Sequence, residues 1–312
     1  MAKMGDGKFC FRGIRTCLLF IHCVMKRYMM LILIIVLLFI IPLRYKTNES
    51  KPAAREEECE IFITLAQSNE QIPLEQYLMG VLAGEMPASF HIEALKAQAV
   101  AARTYAIHQT NYGATPIQQT TAHQVYKEDI NPKYEAKLKE AVSATKHQIL
   151  TYNNQPITAM FHAASNGQTE SAQNFSGAQI AYLTTVSTPE EYTETQTFTL
   201  TTFNEQLKAA YTLEQIAQAQ ITRNDTNRVE RITIGQKTWT GREFRELLRL
   251  KSTDFTINVN SEIKIQTKGY GHGVGMSQYG ANELATNGRT AQEILAHYYP
   301  NTTLTTLACS QD

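Results

Sequence analysis

Three short stretches of the sequence carry residue types that could do chemistry. In Gly80-Val81-Leu82-Ala83-Gly84-Glu85-Met86-Pro87-Ala88, Glu85 closes an apolar helical pattern, Gly84 leaves the backbone accessible and Pro87 forces a turn. A carboxyl so placed is partly desolvated, which raises its pKa and suits it to general-acid work. An ordinary helix-terminal glutamate fits the same spacing. In Gly269-Tyr270-Gly271-His272-Gly273-Val274-Gly275-Met276-Ser277-Gln278-Tyr279-Gly280, the first four glycines alternate with larger residues. That leaves one face without side chains, open to a ligand or to another backbone. His272 and Tyr279 are the polar groups this segment would present, and a tight strand-to-helix junction accounts for it equally. The third stretch, Phe161-His162-Ala163-Ala164-Ser165-Asn166-Gly167-Gln168-Thr169-Glu170, ends a strand at a histidine followed by small polar residues, as at many site rims.

Several chemistries are disfavoured by what is missing. No G-x-G-x-x-G register fits the glycine-rich segment, and Ser277 is not in a G-x-S-x-G elbow because Tyr279 takes the last position. The histidines are scattered without H-E-x-x-H, and a lone histidine is more often structural than a ligand. There is no C-x-x-C pair, and Cys59 and Cys309 lie outside all three stretches, which argues against a cysteine zinc site or a cysteine nucleophile.

The elements that must position these residues read as follows. A strand at 61–65 precedes a helix in which Leu74, Leu78, Val81 and Leu82 recur at helical spacing and which stops near Pro87. A second helix runs from Ile92 to about Gln109, rich in small alanines, and Asn111-Tyr112-Gly113 stops it. Asn131-Pro132 opens a third helix to about Lys146. The middle is β-rich: 148–152 and 157–163 form an expected hairpin, and Thr-rich alternation returns at 195–202, 229–240 and 255–267. A short helix from Thr240 to Leu250 and two C-terminal helices, 276–286 and 291–299, complete the pattern, the last with Thr290-x-x-Glu293 as a capping box. Grouped rather than alternating elements predict an α+β fold over 61–308.

The 312 residues carry 29 basic and 29 acidic side chains, but the balance is uneven. Residues 1–46 hold eight of the basic and one of the acidic residues, so the remainder has 21 against 28, a net of −7. That sign disfavours a phosphate-backbone partner. Tyr28–Leu43 is uncharged and almost wholly apolar, with Lys26 and Arg27 before it and Arg44 and Lys46 after it. Sixteen helical residues span roughly 24 Å, and snorkelling flanks make up the rest of the roughly 30 Å hydrocarbon core. Arg44-Tyr45-Lys46 stands where a signal peptidase needs small residues, so a signal-anchor is expected. The basic N-terminal flank puts residues 1–27 in the cytoplasm and everything after the anchor outside, with 44–60 as a linker. Met25-Lys26-Arg27 is itself a complete anchor start, so residues 1–24 read as an upstream extension of a chain that begins at Met25. An oxidising compartment would permit a Cys59–Cys309 bridge, and two free thiols near the ends fit equally.

Taken together, YLMGVLAGEMPASFHIEALKAQAVAARTYA (77–106), FHAASNGQTE (161–170) and GYGHGVGMSQYGANELA (269–285), with ILAHYYP (294–300), resemble the stage II sporulation protein D family, which is shared with an amidase-enhancer branch. The resemblance implies a membrane-anchored peptidoglycan lytic transglycosylase, acting in engulfment on glycan strands stripped of their stem peptides. It places the catalytic glutamate on Glu85. Lys96, Gln98 and Arg103 on the next helix, and His162, His272 and Tyr279, are weaker candidates for substrate contacts, and a structural ion pair accounts for Lys96 or Arg103 equally. The partners the resemblance implies are an amidase, stage II sporulation protein P, and a membrane protein, stage II sporulation protein M. Some family members bind zinc through Cys and His near the second motif. Here His162 has no cysteine beside it, so no metal or other cofactor is expected. A glycan-binding activator of a separate amidase is the alternative function.

Overall fold

A computed structural model describes residues 25–34, 60–120 and 123–307. The chain divides into two compact units, 1–58 and 59–312. Of the first, residues 25–34 are helical with exposed side chains. Among the described residues no helix is long and apolar enough to cross a membrane, and residues 35–43 of the expected anchor lie outside them. Residues 1–24, Cys59 and Cys309 also lie outside the described residues, as does the expected linker except Glu60.

The second unit is α+β, with helices and several small, mostly antiparallel sheets. Its first core forms around the helix Ile92–Thr110, whose alanines Ala94, Ala97, Ala99, Ala101, Ala102 and Ala106 are all buried. Small side chains keep the helix narrow, so four others, Leu74–Glu85, Pro132–Ala144, Gln278–Thr286 and Ala291–Tyr298, pack directly on it. The strand Gln148–Tyr152 covers a further side. Helix starts follow their sequence signals: Asn131 accepts from Lys133 N ahead of Pro132, and Thr290 and Glu293 form a reciprocal capping box.

A second core lies within residues 193–268. Strands Asp254–Val259, Ile263–Lys268 and Thr193–Phe198 form one antiparallel sheet, and Lys237–Thr240, Val229–Ile234 and Gln220–Arg223 form another. Phe203, Trp239, Phe244 and Phe255 fill the space beneath them, Phe244 stacking on Phe255 at 5.3 Å.

The β-rich middle departs from expectation at two places. The hairpin partner of Gln148–Tyr152 is only Gln155–Pro156, turned by Asn153 and Asn154 at φ 51° and 61°. After Ile157 the backbone closes local turns, Ala159 N to Ile157 O and Met160 N to Thr158 O. The short strand Phe161–His162 instead pairs in parallel with Met276–Ser277. At 195–202 the strand stops at Phe198, because the Thr199 side chain accepts from Thr202 N and starts the helix Leu200–Leu207. A Thr-rich run there is a cap as much as a strand.

Candidate active site

Glu85 is fixed by a loop that crosses its helix where two glycines stand one turn apart. A Cβ on Gly84 would lie 2.6 Å from the Val125 carbonyl oxygen, and one on Gly80 2.7 Å from that of Lys127. Bare backbone there lets residues 123–127 run against the helix, with Lys127 N donating to Gly80 O at 3.1 Å. The crossing brings Val125 N–H to Glu85 Oε1 at 2.5 Å. Met86, extended at φ −125°, then ends the helix so that Glu85 sits at its last turn. Burial raises the Glu85 pKa, and the Val125 N–H holds back part of the rise. Burial and the Glu85 charge push the Tyr77 and Tyr105 phenols up as well.

Two cavities share this carboxyl. A groove of about 860 Å³ runs from Glu85 past His162, His272, Gln278 and Tyr279 to Arg245 and Lys251 at the edge of the second core. A cavity of about 450 Å³, walled by Lys127, Asp129 and Tyr134, also contains Gly84, Glu85 and Pro87. Gly84, Glu85 and Pro87 therefore line both cavities. Tyr270 and Tyr279 stand 40% and 43% exposed along the groove. Tyr279 is held edge-on to Phe90 at 5.0 Å, and Lys251 sits over the Tyr270 ring at 4.5 Å. Besides Glu85, the carboxylate lining the groove is the exposed Glu246.

The two histidines are locked neutral. His162 is buried; its Nδ1 lies 3.2 Å from the Val274 carbonyl and its Nε2 2.7 Å from Ser165 Oγ. A carbonyl only accepts, so the proton is assigned to Nδ1 and Nε2 takes the serine hydroxyl. Burial first, then His272 and Arg228, pushes its pKa well down. Gly271, at φ +113°, is where the glycine-rich segment passes over it: a Cβ would lie 2.9 Å from His162 Cβ. His272 accepts from Val274 N through Nδ1, and burial with Arg245, Arg242 and Arg228 nearby lowers it to about 4. With both His162 nitrogens engaged and no cysteine beside it, these side chains do not fit a zinc site.

The structure thus brings Glu85, His162, His272 and Tyr279 to one groove. Gln98 is buried and reaches it only through Gln278, whose Nε2 is 3.5 Å from Gln98 Oε1. Lys96 and Arg103 stand apart. Lys96 pairs with Glu93 at 2.7 Å on its own helix. Arg103 is fully buried, bonded to both Glu75 oxygens and to the carbonyls of Val142 and Gln148. Sequence reasoning missed Val125, Tyr192, Arg245, Lys251 and Tyr270 as lining residues. The Gly80-x-x-x-Gly84 spacing signalled a close crossing without saying which segment crosses, and Arg242, Arg245 and Arg249 recur at helical spacing.

This α+β unit belongs to the stage II sporulation protein D family. The stage II sporulation protein family model matches residues 64–152, which include Glu85 and the crossing loop. The chain is 38% identical to the stage II sporulation protein D of Bacillus subtilis (strain 168), over 87% of this chain and 92% of the relative. The Bacillus amyloliquefaciens protein of the same name is also 38% identical, over 81% of each. The amidase enhancer of Bacillus subtilis (strain 168) is 32% identical over 73% of this chain but 40% of its own length.

Proposed function

We propose that this protein is a lytic transglycosylase that cleaves MurNAc–GlcNAc bonds in peptide-stripped peptidoglycan strands during sporulation engulfment. The observation that carries the reading is Glu85: a desolvated carboxyl, held by one backbone N–H, that lines two cavities, one of them a groove with exposed tyrosines. A strand lying through both cavities puts a glycosidic oxygen within reach of that carboxyl. Sugar C–H faces pack on tyrosine rings while the phenol oxygens stay wet.

Burial shifts Glu85 toward its protonated form, which donates to the leaving oxygen as the anomeric carbon gains oxocarbenium character. The resulting carboxylate then takes the proton of the C6 hydroxyl on the same sugar, which closes a 1,6-anhydro ring and restores the acid. Val125 N–H stabilises that carboxylate and fixes its direction. Glu85 performs both proton transfers, and no water enters the product. In this reading residues 28–43 anchor the protein in the cell membrane, N-terminus in the cytoplasm and the 59–312 unit outside. Glycan strands are the substrate, an amidase (stage II sporulation protein P) supplies them, and the membrane protein stage II sporulation protein M is a further partner.

The likeness to a protein named amidase enhancer favours a second reading, a glycan binder that activates an amidase without cutting. Incubating the full chain with denuded strands separates the two. Mass spectrometry finding anhydro-ended fragments with wild type, and none with Glu85→Gln, supports the enzyme. Strands that are bound but remain intact with wild type leave the activator.

A further inference from the structure

A second cavity, of about 460 Å³, adjoins the groove and shares Arg245 and His272 with it. Its wall is cationic. Arg228 is buried, and only Nη2 of its terminal nitrogens has an acceptor, the Gln168 carbonyl at 3.0 Å. Its Nη1 is buried without a hydrogen-bond partner among the described residues. A buried donor left unpaired is a standing cost, and a shift of the guanidinium toward the cavity it lines would let a bound acceptor complete it.

The neighbouring carboxylates do not meet that need. Glu170 approaches Arg228 Nε only to 3.9 Å, and its oxygens are filled by Ser171 N, Asn174 Nδ2, Asn224 Nδ2 and Thr226 Oγ1. Asp254 is taken by Arg223 at 3.3 Å. Glu230 is exposed on the rim. Arg231, Arg242 and Arg245 also line the cavity, and Arg245 lies within the field of Glu246. Arg242 stacks on Phe175 at 4.0 Å and donates to its carbonyl, and Arg245 donates through Nε to the Leu250 carbonyl. Both hydrogen bonds go to neutral carbonyls, which leaves further guanidinium N–H groups over for a ligand. Burial first, and then three of these arginines, Arg245, Arg242 and Arg228, lower the pKa of His272. The helix Gly241–Leu248 also begins at this cavity, adding the positive end of its dipole.

We propose that Arg228, Arg242 and Arg245 form a carboxylate subsite for the free lactyl group of an N-acetylmuramic acid residue lying in the Glu85 groove. This rests on the glycan reading of the groove and adds the reason a stripped strand is preferred. A free lactyl group is a planar anion with two acceptor oxygens, the match for guanidinium donors. In a peptide-bearing strand the same carbon is an amide: it is neutral, offers one oxygen and brings an N–H donor toward a wall of N–H donors. The three arginines therefore act as specificity residues beside the general acid Glu85.

The test uses the full chain in detergent with Glu85→Gln, so that strands bind without being cut. Fluorescent denuded strands are compared with the same strands methyl-esterified at the lactyl carboxyl. The expected result is Kd about tenfold lower for the free acid, since losing one charge-assisted contact costs about that factor. Arg242→Gln lowers the ratio several-fold and Arg228→Gln brings it close to one. Arg242 is exposed, so its result decides the matter even if the buried Arg228 variant fails to fold. Equal binding of the two strands, or a ratio unchanged in Arg242→Gln, overturns the carboxylate subsite alone. No binding of either strand overturns the glycan reading and this inference with it.

Discussion

Replacing Gly84 by alanine isolates the contact on which the candidate site depends. Helix propensity alone says the change should stabilise, by about 1 kcal/mol for glycine to alanine in a helix interior. Packing says the opposite. The new Cβ would stand 2.6 Å from the Val125 carbonyl oxygen and 3.0 Å from its carbon, against backbone that cannot rotate away. Overpacking of that kind costs about 1 to 3 kcal/mol, so the net expectation is a loss of up to about 2 kcal/mol and a lower Tm. The loop relieves the clash by retreating, which lengthens the 2.5 Å bond from Val125 N–H to Glu85 Oε1. That bond favours the carboxylate, so weakening it raises the Glu85 pKa further and moves the alkaline limb of activity to higher pH. A carboxyl displaced by a fraction of an ångström to one ångström loses on the order of a hundredfold in kcat. Thermal melts and pH–rate profiles on denuded strands, for wild type and Gly84→Ala, read all three effects. A variant that melts at or above wild type with an unchanged pH profile would refute the reasoning.

Two further outcomes follow from the burial of charged groups. Glu85 has its folded pKa raised above the unfolded value, so its ionisation stabilises the unfolded chain, and fold stability is lost as pH rises through that interval. Glu85→Gln should therefore raise Tm at pH 7 while abolishing cleavage, and the Tm gain should shrink as pH falls to the ordinary glutamate pKa of about 4.3 and be lost below it. Arg103→Leu leaves Glu75 unpaired and two carbonyls short of a donor, for a loss of about 3 kcal/mol. Below its melting temperature that variant should keep the wild-type KM, because Arg103 does not reach the groove. A raised KM at wild-type stability would return it to the substrate.

The parts of this fold that were legible in the sequence are those set by local chemistry. The helix over Leu74–Glu85 follows from its apolar spacing and Pro87, and the helices after Asn131, Thr240 and Thr290 follow from their caps. What stayed hidden is set by contacts distant in sequence. Nothing local says that Phe161–His162 pairs with Met276–Ser277, or that the backbone at 123–127 supplies the bond to Glu85. Lys96 and Arg103 show the same limit from the other side. Both follow Glu85 on the next helix, yet Arg103 turns inward to Glu75, 28 positions away in sequence, and Lys96 to Glu93. Residue type signalled charge in each case, and only packing decides what the charge meets.

The central claim is that Glu85 alone supplies both proton transfers and that the sugar's own C6 hydroxyl, not water, closes the reaction. Digesting denuded strands with the full chain in water enriched in oxygen-18 tests this directly. The account predicts new MurNAc ends that carry no heavy oxygen and weigh one water less than a reducing sugar. New reducing ends carrying one heavy oxygen per cut would contradict it, and would make the protein a hydrolase.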